Sequence, residues 1–293
     1  MKKLKSYEKN SRECKADWDT VISSRTVWYD IDLKGVWQYR DLIFLFVRRD
    51  FVTQYKQTVL GPLWMLIQPL LTTLMFSVIF GRIANIPTGG SPRILFYLAA
   101  FVPWTFFTEC FNKNAATFSS NAGIFGKVYF PRLVRPVSVI ISSFYKFIIQ
   151  FFLFVIIYAI FVWKGSHIEP TEMFWMLPIL LIFPALFGFS LGLIVSSFTT
   201  KYKDLNFVTA VIIQLLMYGS SVVFSISDIS TPYKAILAWN PLVWVIEAFR
   251  YATLGIGTWS WYGLGYAAIW MSALLFIAVI IFNRVEKSFM DTI

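Results

Sequence analysis

Six apolar runs constrain this chain more than any other feature. They lie at 61–80, 94–112, 137–163, 174–198, 205–226 and 264–282. About 20 residues of helix cross a hydrocarbon core. In lipid, only helices and closed barrels satisfy their own backbone groups. The alternating pattern of a transmembrane barrel is absent. Only 14% of the residues are charged, where a soluble domain carries about a quarter. The expected fold is an all-α integral membrane protein with six transmembrane helices. Pro69, Pro103, Pro178 and Pro184 fall inside these runs, which membrane helices tolerate where neighbours take up the freed carbonyl.

Lys and Arg set the orientation. With the amino terminus in the cytoplasm, 20 of the 26 fall on inside segments, 5 fall outside, and Lys146 lies within the third run. Both ends are therefore expected in the cytoplasm. The same distribution assigns the net charge of +10 to orientation and to contact with anionic membrane lipids, so nucleic acid is not expected as a partner. No cleavable signal peptide is expected, since the first 35 residues hold no apolar core before a cleavage site. Cys14 and Cys110 suggest no disulfide framework.

Two segments do not read as spans. Residues 1–38 form a polar cytoplasmic tail without a clear period. Residues 39–56 place Leu42, Ile43, Phe46 and Val47 at helical spacing among Arg40, Arg48, Arg49 and Lys56, which predicts an amphipathic interfacial helix. Residues 231–257 are apolar but broken by Pro232, Pro241, Glu247 and Arg250. Asn240-Pro241 is a helix-start signal, with a cap followed by proline at the first helical position. Two short helices are expected there. They either form a re-entrant hairpin, which must be buried in protein or line a cavity, or lie flat on the outer surface.

Catalytic and metal chemistry find little to work with. The single histidine is His167, and no Cys/His cluster has ligand spacing. A phosphate-cradling loop needs glycine, four residues, glycine, lysine and then Ser or Thr. Gly126-Lys127 comes nearest, but Asn121 stands at the first glycine position and Val128 follows the lysine. An ATP-driven transporter of this kind needs a separate ATPase chain. The basic loop 112–136, with a short apolar helix candidate, is either its docking site or a plain connector. Glu109 and Lys113 share a helix face. Lys146, deep in a span, must pair with Glu109 or face a hydrated cavity. Tyr97, Phe101, Trp104, Phe106, Phe107 and Phe111 wrap one span. They suit either ordinary packing or stacking on sugar rings.

Four segments resemble, in order, the permease subunits of ABC-type polysaccharide exporters. This family carries lipid-linked O-antigen, capsular polysaccharide and teichoic acid. The segments are RRDFVTQYKQTVLGPLWMLIQPLL at 48–71, IFGKVYFPRLVRP at 124–136, KYKDL at 201–205 and WNPLVWVIEAFRYATLG at 239–255. The resemblance covers residues 40–293. It implies a homodimer in a bacterial inner membrane, two copies of an ABC ATPase subunit that bind the ATP and Mg, and a lipid-linked polysaccharide as substrate. It implies a substrate entrance and channel at Arg48, Arg49, Gly61, Pro62, Trp64, Tyr97, Phe101, Trp104 and Phe107. It implies ATPase coupling through Lys127, Phe130, Pro131, Arg132 and Arg135. The hairpin becomes an outer gate, with Trp239, Asn240, Pro241, Trp244, Glu247 and Arg250. O-antigen leads as the substrate class, before capsule and teichoic acid. A membrane-embedded glycosyl- or acyltransferase is the alternative of another class, and a scaffold or channel without an ATPase is a third.

Overall fold

The computed structural model describes residues 33–56, 58–128, 130–166, 168–202 and 204–289. Most of the polar tail, His167 and Lys203 lie outside these residues. The described residues are helical, without strands. The helices are α1 (Leu33–Gln38), α2 (Arg40–Tyr55), α3 (Trp64–Phe76), α4 (Arg93–Ala115), α5 (Thr117–Phe125), α6 (Val134–Trp163), α7 (Leu177–Thr199), α8 (Leu205–Tyr218), α9 (Thr231–Ala238), α10 (Pro241–Leu254) and α11 (Trp261–Phe289). A 3-10 turn at Gly61–Leu63 precedes α3, and a π-helical turn at Ser77–Ile83 extends it.

Five helices among the described residues are long and apolar enough to cross a membrane: Gly61–Ile83, Arg93–Ala115, Val134–Trp163, Glu172–Thr199 and Trp261–Val285. The run at 205–226, expected as a full span, is helical only over the 14 residues Leu205–Tyr218. That helix rises about 21 Å, short of the ~30 Å core. The chain then leaves the helix at Gly219, and Ser221 takes a positive φ of 58°. Ser220, Val222, Val223, Ser225 and Ile226 are all buried.

α4 is the centre of the bundle. From Leu95 to Val102 every residue is buried, as a helix apolar all round requires. α7 approaches it through Gly188, Gly192 and Ser196, a small residue every fourth position. A Cβ on Gly188 would stand 2.5 Å from the Phe107 carbonyl oxygen, and one on Gly192 would stand 2.5 Å from Asn114 Cβ. Without a hydrophobic force between helices in lipid, such close backbone contact supplies the packing energy. α11 lies along α7, with Ala267, Met271, Ala278 and Phe282 buried. By contrast α8 buries no residue within this chain, and α3 leaves Leu71, Leu74, Met75 and Val78 exposed.

α2 is not simply a helix on a lipid surface. Ile43, Phe46 and Val47, three of the four residues expected on its apolar face, are buried, while Phe44 and Leu45 are exposed on another side. The helix is apolar toward both protein and surroundings.

Gly188→Ala is expected to cost about 1–3 kcal/mol, the penalty of forcing a methyl into a filled contact. Gly265→Ala, where nothing lies within 4 Å of the added carbon, is expected to leave stability unchanged. Thermal unfolding of the two variants in detergent compares them directly.

Candidate functional site

Two polar clusters stand at opposite ends of the bundle. The first belongs to the hairpin. Asn240 caps α10 as expected: its side-chain oxygen accepts from the Leu242 N–H at 3.0 Å. Its amide donates to the Gly219 carbonyl at 2.9 Å and to Ser220 Oγ at 2.8 Å. A local cap thereby also fixes the place where α8 ends. α10 stops at Gly255, in the left-handed conformation with φ 70°.

The two hairpin helices are unlike each other. α9 is exposed from Pro232 to Ile236. α10 is almost wholly buried, so it does not lie flat on a surface. Glu247 and Arg250, one helical turn apart, are both 0% exposed and form an ion pair at 2.9 Å. The Glu247 carboxylate also accepts from the Ser221 hydroxyl, from the Ser225 hydroxyl at 2.9 Å, and from the N–H groups of Ile226 at 3.1 Å and Thr258 at 3.2 Å. Arg250 donates to the Ser221 carbonyl at 2.8 Å and lies 4.0 Å over the Phe96 ring. Gly257 leaves room for this: a Cβ there would stand 2.9 Å from Glu247 Oε2. Trp244 donates to the Ala238 carbonyl and packs over Gly263, and Tyr266 donates to the Trp239 carbonyl. The six residues that the resemblance assigns to a gate thus follow one another on α10 and the turn before it, with Trp244 and the Trp239 carbonyl against α11 and Glu247 and Arg250 against 221–226.

The second cluster lies at the end that holds α2, α5 and the start of α6. Asp50 on α2 accepts from Arg135 on α6 at 2.6 Å. Arg49 donates to Asp50 and to Asn121 of α5, each at 3.2 Å. Phe46 sits between the guanidinium groups of Arg49 and Arg135, at 4.8 and 5.6 Å, and 5.8 Å from the Phe130 ring. The aromatic contacts continue from Phe130 to Phe125, Phe118 and Phe282 of α11, with centroids 5.7, 6.1 and 4.8 Å apart. Arg132 lies 5.5 Å over Phe125. Lys127 is exposed and Pro131 is half-buried.

Residues expected to serve separate roles are therefore joined. Arg49, expected at the entrance, bonds into the loop expected to couple. Arg48 points away and is exposed, as are Pro62 and Trp64 beside Gly61. Tyr97, Phe101, Trp104 and Phe107, expected along the channel, are buried inside the bundle of this chain, at most 5% exposed. They pack against Phe76, Phe187, Leu242 and Ile246, because α4 is surrounded by helices on every side. Lys146 pairs with Glu109 at 2.7 Å, and Lys113 takes the other carboxylate oxygen at 2.8 Å. Sequence reasoning misses Asp50, Ser221, Ser225 and Gly257, and meets Asn121 only as a departure from the phosphate-loop pattern. Their partners lie far along the chain, and no local pattern marks them. Among the described residues no group of three or more His, Cys, Asp or Glu side chains can hold a metal ion.

The ABC-2 type transporter family model matches residues 41–254. The chain belongs to the ABC-2 type transporter membrane family. The match runs from the start of α2 to the end of α10 and so contains the ion pairs of both clusters. Three relatives show how far the likeness extends. An O-antigen export system permease protein RfbA of Klebsiella pneumoniae is 25% identical over 253 residues, 86% of this chain and 94% of the relative. The polysialic acid transport protein KpsM of Escherichia coli is 25% identical over 253 residues, covering 83% and 93%. The capsule polysaccharide export inner-membrane protein BexB of Haemophilus influenzae is 21% identical over 240 residues, covering 82% and 89%. Each relative is matched over 89–94% of its length.

Removing one partner of a dry ion pair leaves an uncompensated buried charge, which costs about 3–5 kcal/mol. Arg250→Met is therefore expected to lower the unfolding temperature sharply and to deplete the folded protein. The double variant Glu247→Gln, Arg250→Met is expected to recover part of the loss. Size-exclusion profiles across a heating series give both measurements.

Proposed function

We propose that this chain is the permease of an ATP-driven exporter that moves lipid-linked polysaccharide from the cytoplasm to the outer face of the inner membrane, with O-antigen as the leading substrate class. The observation that carries this reading is the 94% coverage of an O-antigen export permease by a chain of the same family. Capsular polysaccharide is the second reading, supported by the equal identity to the polysialic acid transport protein.

The working unit in this reading is a homodimer with two ABC ATPase subunits, which bind the ATP and Mg. The exposed apolar faces of α3 and α8 support a second copy. In this reading the basic end, with α2 and α5, faces the cytoplasm and both chain ends lie on that side, a reading supported by the 20 to 5 division of Lys and Arg. The hairpin then lies toward the outside as the gate. α5 and the exposed Lys127–Val128 turn meet the ATPase. The transferase alternative is disfavoured by the use already made of Glu247. Its carboxylate is fully occupied by Arg250 and four other donors, so it cannot act as a general acid or base.

Deleting the gene in its own bacterium is expected to strip the cell surface of one polysaccharide and to trap the lipid-linked glycan inside. A surface glycan profile identical to the parent's removes the exporter reading. Arg132→Glu is expected to abolish stimulation of the partner ATPase while the complex still assembles. An ATPase rate equal to the wild type's removes the coupling role of that loop.

A further inference from the structure

A cavity opens at the hairpin end of the bundle, beside the end of α10. Its volume is about 530 Å³, within the range of small-molecule sites. Ser91, Pro92 and Arg93, where the chain enters α4, line one side. Ser166 and Ile168, from the loop between α6 and α7, line the other. Both loops rest on the end of α10. A Cβ on Gly89 would stand 3.3 Å from Ile256 Cγ2. Thr171 donates its N–H to the Ala252 carbonyl at 3.3 Å and its hydroxyl to the Tyr251 carbonyl at 3.2 Å.

The lining is rich in donors. Ser91 is 9% exposed, and its hydroxyl has no partner. Its backbone is engaged instead. The Ser91 N–H donates to the Thr88 carbonyl at 3.1 Å, and the Thr88 hydroxyl donates to the Ser91 carbonyl at 2.9 Å. A buried hydroxyl left alone costs free energy until water or a ligand answers it. The Arg93 stem lies across Gly81, where a Cβ would stand 2.7 Å from Arg93 Cδ. Its guanidinium makes one long bond, 3.4 Å to Asn85 Oδ1, so most of its five donors stay available. α4 starts at Arg93, and no side chain caps it. The first N–H groups of a helix have no partner within it and carry the positive end of its dipole, which favours an anion. Arg93 is the one charged side chain among the described residues of the lining.

We propose that this cavity holds one acidic sugar unit of the glycan as it emerges, with the carboxylate set between Arg93, the Ser91 hydroxyl and the start of α4. One guanidinium answers one carboxylate. A bare anion would fill a small part of the space, since a water takes about 30 Å³ in the liquid; a pyranose ring occupies the rest. The ring meets the Ser166 hydroxyl with its own hydroxyls and the apolar surfaces of Pro92 and Ile168 with its C–H faces. The phosphodiester of an outer-leaflet lipid has the same single charge, and the experiment separates the two sources. The inference rests on the exporter reading, in which the hairpin end is the outer one, and adds a class of substrate to it: a glycan that contains acidic sugars.

The test uses the permease with its ATPase partner in phosphatidylcholine nanodiscs, titrated with methyl glucuronide and with methyl glucoside as the neutral control, and followed by saturation-transfer NMR. The wild type is expected to bind the glucuronide about tenfold more tightly, the worth of one charge-assisted hydrogen bond. Arg93→Gln is expected to erase that preference. Arg93→Lys is expected to keep part of it, since the charge remains and the planar fork is lost. Ser166→Phe fills the cavity from its other side, away from α4, and is expected to abolish binding of both sugars. Size-exclusion profiles establish that each variant is folded. Equal affinity for the two sugars in the wild type, or an unchanged preference in Arg93→Gln, overturns the site. Loss of glucuronide binding in phosphatidylglycerol nanodiscs assigns the cavity to a lipid phosphate and overturns the sugar. Loss of a surface glycan when the gene is deleted is measured separately, so the exporter reading stands even where the cavity assignment falls.

Discussion

A carboxylate with no exposure to solvent organises one whole end of this molecule. Burying an isolated charge costs far more than a protein's net stability, so Glu247 is tolerable only with every lone pair engaged. Arg250 supplies the opposite charge from the next turn of the same helix. The other donors come from elsewhere: two serines and an N–H from 221–226, and an N–H from Thr258. The segment after α8 and the segment after α10 are thereby tied to the middle of α10. Neither could take this path without the carboxylate, and the carboxylate could not be buried without them.

That mutual dependence explains how irregular backbone survives at membrane depth. Non-helical chain is tolerated in the hydrocarbon region only where protein surrounds it. Between Tyr218 and Thr231 the chain forms no α-helix. The carbonyls of Gly219 and Ser221 are satisfied by side chains from α10, those of Asn240 and Arg250. α8 can therefore end short of a full crossing, and α10 can enter the bundle as a buried half-helix. The arrangement leaves α9 exposed and lightly held beside a rigid α10, a contrast that a gate can use.

The sequence makes the spans readable because composition alone decides them. It makes the start of α10 readable because Asn240-Pro241 acts through its own backbone. It conceals the end of α8. Val222, Val223 and Ile226 continue the apolar run, and the bonds that hold the chain out of the helix come from Asn240 and Glu247, 21 and 26 residues away. The joining of α2 to α6 is concealed for the same reason, since Asp50 and Arg135 are separated by 85 positions. The aromatics of α4 show a further ambiguity. Tyr97 and Trp104 have the same identity and spacing whether they pack a core or line a passage, and only the neighbours decide. The small residues at 188, 192 and 196 form a packing motif, but the hydrophobicity of the run they lie in hides it.

The two ends also obey different electrostatic rules, for a physical reason. A pair that must stay dry has to be neutral, and the hairpin pair is neutral and fully hydrogen-bonded. A cluster at the rim of the membrane can carry excess charge, because water or an anion can reach it. The Lys113–Glu109–Lys146 arrangement uses that freedom in a particular way. A lone lysine would bend its long stem toward the interface. The shared carboxylate instead holds the two ammonium groups together, at 2.8 and 2.7 Å. The same rim carries Asp50, whose bond to Arg135 joins α2 to α6, while its neighbour Arg49 reaches Asn121 on α5.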